Sequence, residues 1–184
     1  MKLSKSLYTR AIQCQKSLWL KKHNKDVLTP PNAAAQAIFE NGNEVGDLAC
    51  KLFPNGVEIP YLNTTFQDKI NLTQEYINQG TQNIYEATFE FDGILIMIDI
   101  LNIKDNSVII NEVKSSTQVK DIYLHDASIQ YYVLNGLGYD VKKVNIIHIN
   151  NQYVRDEELD INQLFSIVDV TYEVKELQAN IKNN

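Results

Sequence analysis

An aspartate in the middle of an apolar strand is an expensive residue. Asp99 lies in the run Ile94 to Leu101 (ILIMIDIL), which is apolar on both faces apart from that one side chain. An unpaired buried carboxylate costs several kcal/mol, so a cation or a set of donors must compensate it. A turn centred between Asp105 and Asn106 would set position 99 opposite position 112, which is Glu. Lys114, two residues further on, shares the face of Glu112 because side chains alternate along a strand. Asp99, Glu112 and Lys114 are therefore predicted to converge. Two carboxylates and the Val113 carbonyl would form a hard oxygen site suited to Mg²⁺ or Mn²⁺. Beside such an ion, Lys114 could hold or help deprotonate the water that attacks a phosphodiester. A plainer arrangement needs no ion: a cross-strand Glu–Lys pair, with Asp99 satisfied by backbone donors.

The elements that must position these residues can be read along the chain. Ser4 to Lys22 reads as helix, in one piece or two, and Ala33 to about Leu52 as a second, capped by Asn32 and closed by Pro54-Asn55-Gly56. Gly42 and Gly46 sit inside the second helix, where glycine costs about 1 kcal/mol against alanine, so close packing against another backbone is expected there. A third helix is predicted over Thr65 to Asn78. The pattern then changes to strands: Asn83 to Phe91, an Asp92-Gly93 turn, Ile94 to Ile103, the turn Lys104-Asp105-Asn106-Ser107, and Val108 to Lys114. A helix over Asp121 to Leu137 and a buried strand over Lys143 to Asn150 follow. Short helices near Ile161 to Phe165 and from Thr171 to Ile181 end the reading. This order predicts an α/β domain around a mixed sheet flanked by helices, in one unit of 184 residues. It divides into a basic helical segment (1–31), a core (32–154) and a C-terminal helical extension (155–184).

Asp99, then Glu112-Val113-Lys114 on the next strand, then a helix carrying Gln130, resembles the PD-(D/E)XK nuclease superfamily. Within it the chain is similar to the RecB-type branch, which includes CRISPR-associated RecB-like exonucleases, from Ser4 to about Val154. The resemblance implies a restriction-endonuclease-like αβββαβ core. It implies metal ligation by Glu44, Asp99 and Glu112, a catalytic role for Lys114, and a place near the phosphate for Gln130. Glu44 enters through Asn41-Gly42-Asn43-Glu44-Val45-Gly46, which looks like the family's helical Gly-x-x-x-His/Glu segment. The family's Gln-x-x-x-Tyr motif is only half met, since Leu134 stands where tyrosine is expected, leaving Tyr131 or Tyr132 as substitutes. Glu86, on the first strand of the meander, either supports the site or is an exposed strand residue. Related exonucleases place an N-terminal cysteine on an iron–sulfur cluster with three C-terminal ones. Cys14 looks like that N-terminal residue, but Cys50 alone cannot complete a four-thiolate site. No iron–sulfur cluster is expected, and Cys14 is read as a small buried hydrophobe.

Charge bears on the partner. The formal net charge is −6, which at first argues against a nucleic-acid binder. Yet residues 1–25 carry seven basic side chains and no acid, so the other 159 sum to −13. Lys5, Arg10 and Lys16, interleaved with Tyr8 and Trp19, could lie along a polyanion, with Gln130 and Tyr131 as further nucleic-acid contacts. The alternative is an amphipathic helix turning Leu7, Ile12, Leu18 and Trp19 to the core. Two cysteines make no disulfide framework, and neither a secretory signal nor a membrane span is visible, so a cytoplasmic setting is expected. These residues predict a Mg²⁺- or Mn²⁺-dependent DNA nuclease, and the resemblance implies an exonuclease. The alternatives are a catalytically silent nuclease-like module that binds nucleic acid or a protein, and a small-molecule phosphoesterase.

Overall fold

The computed structural model describes residues 3–30, 32–104 and 107–181. Its centre is the predicted meander: β3 (Asn83–Phe91), β4 (Ile94–Lys104) and β5 (Ser107–Lys114). Asp92 and Gly93 both take positive φ (52° and 73°), the conformation a tight two-residue hairpin demands. Asp105 and Asn106 lie outside the described residues, but Lys104 pairs with Ser107 and Ile100 with Asn111, which is the expected register.

Among the described residues, seven strands form one mixed sheet in the order β2 (Val57–Glu58), β3, β4, β5, β6 (Asp140–Ile149), β7 (Phe165–Asp169), with β1 (Leu3–Ser4) also pairing β4. β6 (Asp140–Ile149) runs parallel to β5, as the intervening helix α5 (Asp121–Gly136) requires. The helix α4 (Phe66–Asn78) precedes β3, so α4-β3-β4-β5-α5-β6 gives the αβββαβ order. It starts at a capping box in which Thr65 and Asp68 satisfy one another's backbone amides. The main core lies between the sheet and α4 and α5, and includes Ile84, Ile96, Ile98, Ile110, Val133 and Ile146. A smaller core lies on the opposite face under α3 (Ala33–Cys50), around Ala49, Ile100 and Ile147. Among the described residues no helix is long and apolar enough to cross a membrane.

Three strands were not legible in the sequence. β1 (Leu3–Ser4) precedes the helix α1 (Lys5–Gln13), β2 (Val57–Glu58) runs parallel to β3, and β7 (Phe165–Asp169) runs antiparallel to β6. β7 begins where the short helix α6 (Ile161–Leu164) stops, so Phe165 is a strand residue. The last helix divides into α7 (Thr171–Glu176) and α8 (Gln178–Ile181). The N-terminal helix also divides, α2 (Gln15–His23) following α1 across an extended Cys14. That break leaves Cys14 exposed, so it is not the buried hydrophobe expected. Tyr8 is buried beside Ile129 and Ile181, whereas Trp19 is exposed and lies against His23, the reverse of the core-facing expectation for Trp19.

The α3 glycines also differ from expectation. A Cβ at Gly42 or Gly46 would meet nothing within 4 Å, so neither residue marks close backbone packing. Both instead line a cavity, where a missing side chain leaves room. Gly56 and Gly136 are the glycines with a steric role, since a Cβ would run into the Tyr85 ring at the first and the Phe91 ring at the second. Gly42→Ala and Gly46→Ala should each stabilise the fold by up to about 1 kcal/mol through helix propensity. Gly136→Ala should destabilise it. Thermal denaturation followed by circular dichroism measures all three.

Candidate active site

The β4–β5 ladder pairs Lys104 with Ser107 at one end and Ile100 with Asn111 at the other. One step beyond, the strands part, and the Val113 N–H donates to Asp99 Oδ2 at 2.7 Å. On the other side of β4, Tyr85 pairs with Ile100 and Ala87 with Ile98, leaving Glu86 and Asp99 as the unpaired step between them. Glu86 has φ +58°, a left-handed conformation rare for a non-glycine strand residue and characteristic of strained functional positions. Glu86, Asp99 and Glu112 thus stand in a row on three neighbouring strands. All three line a cavity of about 1010 Å³.

Glu112 is 1% exposed and fully engaged. Its Oε1 accepts from Lys114 Nζ at 2.6 Å and from Lys5 Nζ at 2.8 Å, and its Oε2 accepts from Gln130 Nε2 at 2.6 Å. Lys114 also reaches Asp126 Oδ2 at 2.6 Å, while Lys5 stands 3.8 Å from Asp126 Oδ1. Asp126 and Gln130 are one helical turn apart on α5 and so share a face. Helix α5 therefore supplies an acid and an amide, and β5 supplies Glu112 and Lys114.

The charges respond differently to this burial. Burial and the adjacent Glu112 push Asp99 up to about 7. Burial opposes the charge of Glu112 as well, but Lys114 and Lys5 override it and hold the carboxyl below the usual range. Burial also opposes the charges of Lys114 and Lys5, yet Glu112 and Asp126 hold both ammonium groups above the usual lysine range. Burial raises Glu86 and Asp126. Cys50 lines the same cavity, and burial together with Asp47 and Glu58 pushes its thiol up to about 12, which excludes a thiolate nucleophile at neutral pH.

Asp99, Glu112, Val113 and Lys114 are brought together, with Gln130 behind Glu112. Val113 contributes its backbone N–H, which donates to Asp99. Gln130 is wholly buried and acts through Glu112, so it is a positioning residue rather than a phosphate contact. Glu44 is not brought in. It is exposed on α3, and the residues of that helix lining the cavity are Gly42, Asn43, Gly46, Asp47 and Cys50. Asp47 is thus the α3 acid at the cavity, because residues 43, 47 and 50 share a helical face that 44 does not. Lys5 joins the carboxylates instead of an outer surface. Arg10 donates to Ser17 Oγ at 2.7 Å, Lys16 is exposed on α2, and Tyr131 packs against the main core; none of the three lines the cavity. Of the plainer arrangement, the backbone donor on Asp99 is present, while Glu112 pairs with Lys114 along its own strand rather than across strands.

Asp126 is the participant that sequence reading missed. Its spacing of four before Gln130 was the available signal. Among the described residues, no group of three or more His, Cys, Asp or Glu side chains is assembled to hold a metal ion.

The two carboxylates at the fork should have opposite effects on stability. Asp99 has a raised pKa, so the folded protein binds more protons than the unfolded chain between about pH 4 and 7. Its ionisation costs stability as pH rises through that window, and Asp99→Asn should raise the Tm at pH 8 by several degrees, an advantage that shrinks below pH 4. Glu112 has a lowered pKa and contributes stability that is present above the ordinary glutamate value and lost as pH falls. Glu112→Gln leaves two buried ammonium groups under-compensated and should lower stability by about 3 kcal/mol at pH 8. Metal-free thermal melts across pH measure both.

No family model matches the sequence, and no curated protein matches it. Among solved structures, the chain is similar to the crystal structure of SSO0001, at 13% sequence identity and a TM-score of 0.38, covering 100% of this chain and 77% of that one.

Proposed function

We propose that this protein is a divalent-metal-dependent deoxyribonuclease that hydrolyses phosphodiester bonds, a RecB-like exonuclease of the PD-(D/E)XK superfamily acting in the cytoplasm. The observation that carries the reading is the meeting of Asp99, Glu112 and Lys114 where two strands part over a large cavity. The donor set fits Mg²⁺ or Mn²⁺. Six carboxylates (Asp47, Glu58, Glu86, Asp99, Glu112 and Asp126) and two ammonium groups line the cavity, and oxygen donors of this kind suit hard cations. The upward displacement of Asp99 supports the same point, since its charge is under-compensated by the chain's own cations.

Asp99 and Glu112 would hold the ion, with Glu86 next to them in the row. When bound, such an ion lowers the pKa of a coordinated water and offsets charge developing on the phosphate. Lys114 keeps its proton, because Glu112 and Asp126 favour the ammonium form. Its role is to donate a hydrogen bond that orients the attacking water, rather than to take up that water's proton. Asp126 anchors Lys114, and Gln130 fixes the Glu112 carboxylate in its plane. Tyr61 lines the cavity and is 71% exposed; Lys69 Nζ lies over one face of its ring, 4.2 Å from the centroid, so a base would stack on the other. The cations of α2, with Lys16 exposed and Lys21 and Lys22 half-buried, supply attraction for the phosphate backbone.

With Mn²⁺ or Mg²⁺, the purified protein should cleave single- or double-stranded DNA. Glu112→Ala and Lys114→Ala should each reduce that rate about 100-fold or more, whereas Glu44→Ala should leave it near the wild-type value. Absence of metal-dependent cleavage on every DNA substrate would overturn the proposal.

A further inference from the structure

Lys5 has no counterpart among the residues that suggested this site, yet it makes one of the shortest contacts in it. Its position follows from β1. Leu3 pairs with Ile94 and Ser4 with Leu95 in parallel register, and the Leu3 N–H donates to the Gly93 carbonyl at 2.8 Å. β1 can use this stretch of β4 because β5 pairs with β4 only from Ile100 onward. The two-residue strand thus occupies the space left where β4 and β5 part, and the next residue enters the cavity.

We propose that Lys5 is a tethered counter-cation that competes with the divalent ion for Glu112 and so sets the protein's metal affinity; this rests on the metal-dependent reading above. Glu112 Oε1 already takes two ammonium groups and Oε2 takes the Gln130 amide. An ion can coordinate Oε1 only by displacing an ammonium. Lys114 is held twice, at 2.6 Å from Glu112 and 2.6 Å from Asp126. Lys5 has one short bond, its second contact lying at 3.8 Å, so it is the weaker-held of the two. Its flexible stem lines the cavity, and a lysine is a compact charge that can swing without moving the backbone. Displacing it leaves Lys114 in place and keeps the freed ammonium inside the cavity, where a phosphate oxygen is a suitable partner. Metal affinity is then the intrinsic affinity of the carboxylates reduced by the cost of breaking the Lys5–Glu112 pair.

Mn²⁺ titration by calorimetry at fixed pH and ionic strength tests this, on wild type, Lys5→Met, Lys5→Arg and Glu112→Gln. Lys16→Met controls for general loss of positive charge. Lys5→Met should bind Mn²⁺ about tenfold more tightly or better, Lys5→Arg and Lys16→Met close to wild type, and Glu112→Gln much more weakly. Equal or weaker binding by Lys5→Met, with binding still dependent on Glu112, would overturn the role of Lys5 and leave the metal site standing. No Mn²⁺ binding in any protein would overturn both. A measurement on unmodified protein covers a failure of Lys5→Met to fold: in ¹⁵Nζ-lysine spectra, saturating Mg²⁺ should shift the Lys5 ammonium signal strongly and that of Lys114 little. An unmoved Lys5 signal in Mg²⁺-saturated protein would overturn the inference.

Discussion

The amide of Val113 is a group the β4–β5 ladder would ordinarily consume, and Asp99 takes it instead. A buried carboxylate is a stronger acceptor than a strand carbonyl, and accepting a backbone amide is among the few ways an acid can be kept inside a sheet. The rest of the site depends on this exchange. Because the two strands separate there, Asp99 opens onto a cavity instead of being sealed between strands. Because β5 leaves, β1 can pair with the vacant edge of β4. Because β1 ends at Ser4, Lys5 is delivered to Glu112.

Electrostatics then distributes unequal roles among similar groups. Glu112 sits between two ammonium ions and stays charged, whereas Asp99, a strand away, is left with too little compensation and is pushed up to about 7. The low-dielectric surroundings sharpen that difference. Asp126 has no catalytic part in this scheme. Its work is to keep Lys114 pointed at a fixed place, the kind of support without which a reactive side chain would sample several rotamers.

The parts of this arrangement visible in the sequence are those governed by local rules. The loop length after Lys104 fixes the register that sets Asp99 against Glu112, while alternation in Asn83–Phe91 and the turn at Asp92-Gly93 place the strand before it, and all three can be read by eye. Gln130 was reached through the family resemblance, which expects a glutamine on the helix after β5. Lys5 could not be found, because its place depends on a parallel pairing between residues 3 and 94 that leaves no periodic trace in two residues. Glu44 was misassigned for a related reason. A motif at the right place in the order identifies a helix, but the rotation of that helix about its axis is decided by packing, and the packing turned Asp47 to the cavity. The glycines of α3 misled because a missing side chain has two uses, close approach and empty space, which are indistinguishable in one dimension.

The pairing of the chain's first described residues with its fourth strand also sets an order of assembly. β3 and β4 are joined by a two-residue turn and can form locally, as can α4 against them. β1 has no partner until β4 exists, and Lys5 has none until β5 has been added, 107 positions further along the chain. Contacts of such long sequence separation form late, since the loop they close must be ordered first. During synthesis α1 is therefore made before β4 and β5 and secured only after both. Glu112 must pass through a stage with the strands paired, Lys114 beside it on β5 and Lys5 not yet in place, so the step that completes the site is also the step that adds its second counter-cation.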